Sequence, residues 1–422
     1  MTLMNRSPLL ILLVGLAFCA TRPAQAQSDL QTNRSFVASP QVLGMGDAGV
    51  ALSSRQTAFF YNPAHIGRSA RLLSINLLGA SGSISNAVFD QVQFFNDRLQ
   101  PAIDVGIDNL SDSELRSLYE DAFAQGQQRA SLNGQFLLPS VVVGGKGIGL
   151  GGGLFATTGL NYRIRNAGLG LPQLDIVARS DLMGVATAGI DFEKLIGFGG
   201  LAVGLTGKYT RRFLTIKNKP IDAFSSDEEI YVLEGRSLGF DVGVLYDLGL
   251  IPLPGTLTLG AAIYDVVASD FDYVYFGTPS DLPIVGEQTE ASSEPIDAGR
   301  IEKEVAYAND RYALAPSYRL GVAYQPPGLG FLGSFAFAAD YIGYRKPLID
   351  QSFLAHLHLG AQLRLLRLFK VRGGLSQGYP TFGGGIGLGL IHVDYAYHGV
   401  EDGRIPGQIY NQKHTAQVRI GF

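Results

Sequence analysis

Five of the six histidines lie between residues 356 and 414. Four of them, His356, His358, His392 and His398, fall at positions that would share a face with Gln362, Arg364 and Asp394. Histidines beside a carboxylate are metal-ligand chemistry. The same residue types also line a polar interior, and the stretches 352–366 and 391–399 are not adjacent strands, so lining is favoured and no metal is expected. Asp394 stands out, because an interior carboxylate can accept backbone N–H groups from a segment packed against it. Nucleophilic catalysis would need a serine beside a histidine base and an orienting acid; no such set is apparent, and an enzyme is not expected. Gly147-Ile148-Gly149-Leu150-Gly151-Gly152 is glycine-rich like a phosphate loop, yet it opens a strand, and phosphate cradling needs a helix N-terminus. With one cysteine, the chain has no disulfide framework or cysteine metal site, and no cofactor is expected.

The elements that position these residues follow from composition. Glycine reaches 54 of 422 residues without a collagen period, and proline, at 19, is ordinary. Apolar residues at 46% exclude a disordered chain, and a net charge of -4 argues against nucleic acid as a partner. Residues 1–26 have the form of a secretory signal: Arg6, the apolar run Leu9 to Ala20, then Ala24-Gln25-Ala26 as a cleavage site. A lipoprotein signal at Cys19 is disfavoured, because large Phe18 stands where a small residue is needed. Cleavage at Ala26 removes Cys19, and losing Arg6 and Arg22 takes the mature charge from -4 to about -6. No later stretch is long and apolar enough for a spanning helix. An exported chain of this kind is either soluble or an outer-membrane barrel.

Alternation of period two is widespread. Leu201, Val203, Leu205, Tyr209 and Phe213 share one face, and Ala202, Gly204, Thr206, Lys208, Thr210 and Arg212 the other. Leu357, Leu359, Ala361, Leu363 and Leu365 alternate with His358, Gly360, Gln362 and Arg364 in the same way. A soluble sandwich would also alternate. Three features favour the membrane. The strands exceed the usual five or so residues. Tyrosines cluster near strand ends, as at Tyr341, Tyr344, Tyr395 and Tyr397, which suits interfacial girdles. The chain ends in a strand on Phe422, which shares a face with Ile420, Val418 and Ala416 and has the form of an outer-membrane assembly signal.

Fourteen strands are expected, near 70–80, 134–143, 147–163, 174–191, 199–217, 231–248, 255–271, 311–325, 331–345, 352–366, 368–377, 380–389, 391–399 and 413–422. The count is even, as single-chain barrels require. Short turns fall on one side, among them Gly144-Gly145-Lys146, residues 325–330 and Leu366-Arg367. The long connections 81–133, 272–310 and 400–412 fall on the other. Within the first, Ser111-Asp112-Ser113-Glu114 matches a capping box, with Leu115, Leu118, Tyr119 and Phe123 at helical spacing; a lid, a plug or a rim helix would all fit. The second is acidic (Asp281, Glu287, Glu290, Glu294, Glu302, Glu304) and is expected to be a solvated surface.

Residues 27–69 precede the barrel of 70–422. They carry Gly44-Met45-Gly46-Asp47-Ala48-Gly49-Val50-Ala51 and the turn Asn62-Pro63-Ala64. Small residues permit close backbone packing in a confined lumen, so this segment is expected to fold into the barrel as a hatch. On these two motifs and on the stretch from Arg372 to Tyr397, the chain resembles the FadL-like outer-membrane proteins, and within them the PorV-like branch. The resemblance implies a single transmembrane antiparallel barrel, all-β, plugged by an N-terminal hatch. Gly44, Gly46, Asp47, Asn62, Pro63 and Ala64 would then be hatch and gating residues. It also implies passive transport of hydrophobic compounds such as long-chain fatty acids or, for the PorV-like branch, a scaffold in protein secretion or surface attachment. The expected partners are outer-membrane lipid, the barrel assembly machinery, and a hydrophobic ligand or a secreted protein. The long-loop layout departs from the FadL pattern of a fatty-acid entry groove.

Overall fold

The computed structural model describes residues 36–52, 54, 56–68, 72–106, 109–125, 129–165, 173–220, 231–248, 254–277, 298–312, 314, 316–328, 330, 333–344, 351–366, 368–401 and 405–422. The signal at 1–26, the first residues of the expected hatch, and Asp281, Glu287, Glu290 and Glu294 lie outside them.

The strands are β1 (Leu73–Ser85), β2 (Ala130–Gly145), β3 (Ile148–Arg165), β4 (Gln173–Asp191), β5 (Leu201–Pro220), β6 (Val232–Asp247), β7 (Thr256–Ala268), β8 (Val274–Gly277), β9 (Ser317–Gln325), β10 (Gly333–Tyr344), β11 (Leu357–Leu365), β12 (Phe369–Ser376), β13 (Tyr379–Leu388), β14 (Ile391–Glu401) and β15 (Tyr410–Gly421). Each pairs antiparallel with its neighbour, β1 pairs with β15, and the β5–β6 pairing leaves no open edge. β7 and β8 are two halves of one interrupted strand: β7 pairs with β6 from Gly239 to Asp247, and β8 pairs with β6 at residues 232–234. The result is a closed barrel of fourteen strand positions.

The alternation is expressed as a barrel turned inside out. On β5, Thr206, Lys208, Thr210 and Arg212 are at most 3% exposed, whereas Leu205 and Tyr209 are each 49% exposed. Leu150, Leu154, Leu182, Phe382 and Val418 are exposed around the outside as well. A soluble protein buries such residues; a membrane barrel presents them to lipid. Two bulges adjust the pattern. At Asn76/Leu78 the register shifts, and consecutive Leu77 and Leu78 both face outward. Between Leu137 and Ser140 it shifts again, around Pro139, which has no N–H for the ladder.

The differences from the sequence expectation are local. The strand expected at 311–325 begins at 317, because Ala298–Arg311 is a helix, with Arg300 and Glu304 paired one turn apart. The strand expected at 255–271 breaks at Ala268; Phe271 and Tyr273 turn inward and stack. Phe353–His356 is a 3-10 turn ahead of β11. The first long connection holds helices at Asn86–Phe94, Gln100–Val105 and Asp112–Gln125. The last of these opens on the expected box: Ser111 N–H and O–H both donate to Glu114 Oε2, at 2.9 and 2.6 Å. Those bonds hold the Glu114 carboxyl below its ordinary pKa.

Phe422 closes the seam between first and last strands. Its N–H donates to the Ile75 carbonyl and its own carbonyl accepts from Ile75 N–H, both at 2.9 Å, while Ser74 Oγ donates to the same oxygen. Deleting Phe422 removes these bonds and an outward aromatic. The heat-modifiable, folded fraction in the outer membrane should fall to a minority on gel-shift assay; native-like levels would remove Phe422 as an assembly determinant.

Candidate functional site

The described residues between 36 and 68 lie inside the barrel. Val50, Ala58, Tyr61, Asn62, Ala64 and Ile66 are at most 0% exposed. The segment consists of turns and two short helices, α1 (Pro40–Leu43) and α2 (Ala64–Gly67).

The wall meets it with glycine. Gly149, Gly189, Gly204 and Gly243 are register partners on four successive strands. A Cβ on Gly204 would strike the backbone of Pro63 and Ala64, and one on Gly243 would strike the Asn62 side chain. Gly260, Gly360 and Gly374 stand as close to Ala51 and Met45. The glycine excess of the chain is therefore partly a floor on which backbone rests against backbone. Sequence reasoning credited the small residues of the segment with this role and missed the matching ones in the wall. Isolated glycines in a strand pattern look like mere weakness until their register is known.

Asn62 fastens the segment at this floor. Its Nδ2 donates to the Val50 carbonyl at 2.9 Å and the Val244 carbonyl at 3.1 Å, and its Oδ1 accepts from Ala64 N–H. Pro63 precedes α2 directly, where a fixed φ and a missing N–H cost nothing. His65 on α2, outside the spanning strands, is kept neutral. Burial, aided by the Arg68 charge, lowers its pKa to about 3. Arg68 ends the segment in an ion pair with Asp247 at 2.8 Å.

The motif at 44–51 is held from the opposite wall. Gly46 and Asp47 have φ of 67 and 62 degrees, so the chain reverses there. Thr381 Oγ1 accepts from Gly46 N–H and donates to the Gly44 carbonyl. The carboxylate that accepts amides of this segment is Asp340: Gly49 and Val50 N–H donate to its Oδ2 at 2.7 and 2.8 Å. Asp394, for which that role was expected, instead accepts from the Gln41 side chain at 2.8 Å and from Arg372 at 2.9 Å. Arg319 holds Asp47 twice, through its carboxylate at 2.6 Å and its carbonyl at 2.8 Å, and lies over the Tyr61 ring. Asp340 and Arg319 were not singled out from the sequence.

The remaining expected lining residues are placed as follows. His358 Nδ1 meets the Gly46 carbonyl at 2.7 Å, a bond the ring must donate. His356 does the same to the Ile342 carbonyl, and His398 pairs with Thr415. Gln362 accepts from Arg372, Arg364 is exposed, and His392 is half-buried. Among the described residues no three metal-binding side chains come together. Gly235-Arg236-Ser237-Leu238-Gly239 has the spacing of a nucleophile elbow, which the sequence reading passed over. It lies within β6, not at a strand-to-helix turn, and Ser237 Oγ donates to the Ser269 carbonyl.

Beside the floor lies an apolar cluster. Phe59, Phe60, Tyr61 and Ile66 of the segment pack with Leu137, Phe155, Met183 and Val185 of the wall, with Phe36 against them. The Phe60 and Phe155 rings meet edge to face at 4.9 Å.

A closed barrel, apolar outside and with its lumen filled by its own N-terminal segment, defines a membrane-spanning β-barrel of the outer-membrane type. The family model described as "F plasmid transfer operon, TraF, protein" matches residues 59–341, more than half of the chain, and the chain belongs to that family. The closed barrel that the FadL-like resemblance implied is the architecture found. Solved structures similar to it include the toluene transporter TodX of Pseudomonas putida, at 10% identity and a TM-score of 0.46 over 92% of this chain and 97% of that one. The toluene transporter TbuX of Ralstonia pickettii matches at 13% identity and 0.45, over 91% and 97%. The translocator domain of the autotransporter NalP of Neisseria meningitidis matches at 10% and 0.36, over 83% and 87%. No curated protein matches the sequence.

Proposed function

We propose that the protein is a bacterial outer-membrane channel for passive passage of hydrophobic small molecules, with residues 27–69 as its hatch and 70–422 as its barrel. The observation that carries this reading is the apolar contact between hatch and wall. Much of the inner wall carries polar side chains such as Lys208 and Arg212, but along this contact Phe59, Phe60, Phe155 and Met183 pack together. A path opened along that contact would favour alkyl or aromatic compounds; long-chain fatty acids are the case the family resemblance suggests. No nucleotide site is called for: the compound partitions down its gradient, and the hatch turns about Asn62-Pro63-Ala64. The short turns face the periplasm and the long loops the outside. Phe422 addresses the chain to the barrel assembly machinery.

Asn62→Ala and Pro63→Ala test the gate. Both should lower uptake of a radiolabelled hydrophobic compound while the barrel still assembles; unchanged uptake in both would sink the hatch as a gate.

A second reading, a scaffold for a secreted protein, is favoured by one feature. On the helix at 86–94 and just beyond it, Phe89, Val92 and Phe95 are 60%, 50% and 46% exposed at the long-loop end. Native mass spectrometry after gentle extraction separates the readings: a retained lipid-sized ligand favours the channel, and a retained protein with an empty barrel favours the scaffold.

A further inference from the structure

Most ionised groups on the inner wall are matched by an opposite charge. Lys208 lies between Asp241 and Asp265, at 2.8 and 2.9 Å. Arg212 meets Asp181 at 2.7 Å, and Arg319 meets Asp47 at 2.6 Å. One region departs from that pattern. At the short-turn end of β11 to β15, register and alternation place Arg364 beside Lys370, Lys370 beside Gly385, Gly385 beside Asp394, and His392 beside Arg419. Arg372 lies one row further in, opposite Gln362 and Gly383. Four cationic side chains thus share one carboxylate, and Arg364, Arg372 and Arg419 all act electrostatically on Lys370.

Two of these cations are buried with donors to spare. Arg372 is 3% exposed and Arg419 6%. Arg372 gives Nη1 to Asp394 and Nε to Gln362. Its Nη2, Arg419 Nε and His392 Nδ1 have no hydrogen-bond partner among the described residues. A buried donor without an acceptor is costly, more so when it is charged. β13 presents Gly383, Gly385 and Gly387 inward in succession, a groove in the wall between Lys370 on one side and His392 and Arg419 on the other, with Asp394 Oδ1 lying against Gly385 and the His392 ring against Gly387. Gln41 of the hatch roofs it through Asp394. Arg364 is exposed and Lys370 half-buried, so the groove opens to solvent at the short-turn end.

We propose that this groove is an anion site for an oxyanion, a phosphate or carboxylate group, entering from the short-turn side. Guanidinium donors match the geometry of such groups, two N–H to two oxygens. The site lies away from the apolar hatch contact, and the inference stands whether or not the hatch moves. The oxyanion has two possible sources, a free ion or the head of an amphiphile, and the test distinguishes them.

The full chain in uncharged maltoside micelles would be titrated calorimetrically with inorganic phosphate and, separately, with dodecyl phosphate, against sodium chloride at matched ionic strength. Saturable binding of at least one phosphate is expected. Arg419→Gln and Lys370→Gln should each weaken it about tenfold, the loss of one charged hydrogen bond, and Arg419→Lys should keep part of it. Lys370 is half-buried, so its variant reports even if Arg419→Gln fails to assemble. Equal affinity for both probes assigns a free ion; binding of dodecyl phosphate alone assigns an amphiphile head. No saturation with either probe, an equal response to chloride, or native affinity in both neutral variants would overturn the site.

Discussion

Gly204→Leu is expected to convert a closed barrel into an ohmic pore. The Gly204 Cβ would lie within 2.5 Å of Ala64 N and as close to the Pro63 carbonyl oxygen. These are backbone atoms of a segment already 0% exposed at Ala64, with no side chain to rotate away. Overpacking in a side-chain core costs about 1–3 kcal/mol; against backbone the only relief is to move the segment. The wall itself has no reason to fail, because Gly204 stays paired with Gly189 and Gly243 on either side. Single-channel recording in planar bilayers should show little conductance for the native chain and steady conductance for the variant. Limited proteolysis should cut the variant within residues 36–68. Gly82→Leu is the control, because a Cβ there meets nothing within 4 Å. A Gly204→Leu barrel that assembles, stays closed and stays protected would show that the glycine floor does not seat the segment.

The sequence revealed those parts of the molecule whose signal is local. Alternation located nearly every strand, because lipid outside and lumen inside impose opposite demands on successive residues. The capping box placed a helix at Asp112–Gln125, because Ser111 and Glu114 satisfy each other within one turn. What the sequence hid depends on depth and register. Asp340 and Asp394 begin similar stretches, Asp340-Tyr341 and Asp394-Tyr395, and both face inward. Only their levels in the barrel decide that Asp340 meets the amides of Gly49 and Val50 while Asp394 meets Gln41. The interruption of β7 was invisible for a related reason. Ser269 takes over the bonds of the ladder, receiving Leu238 N–H on its Oγ and Ser237 Oγ–H on its carbonyl, and no glycine or proline marks the break.

Arg319→Met should release the Gly46–Val50 turn from the wall. Arg319 is 3% exposed on its side chain, makes two bonds to Asp47, and lies over the rings of Tyr61 and Phe36. Removing one partner of a buried ion pair costs about 3–5 kcal/mol, chiefly by stranding the other charge. Asp47 keeps 17% exposure, so the lower end of that range applies. A loss of about 3 kcal/mol corresponds to roughly a hundredfold faster amide exchange at Gly49 and Val50, if local opening governs exchange there. A double variant separates charge from shape. In the double variant Asp47→Asn with Arg319→Met no charge is stranded, and replacing both partners of a buried pair is often nearly neutral. Exchange in the double variant should return most of the way to native. If single and double variants exchange equally fast, the turn is held by the packing of Arg319 on Tyr61 and Phe36 and not by its charge. If neither differs from native, Asp340 and Thr381 hold the turn without it.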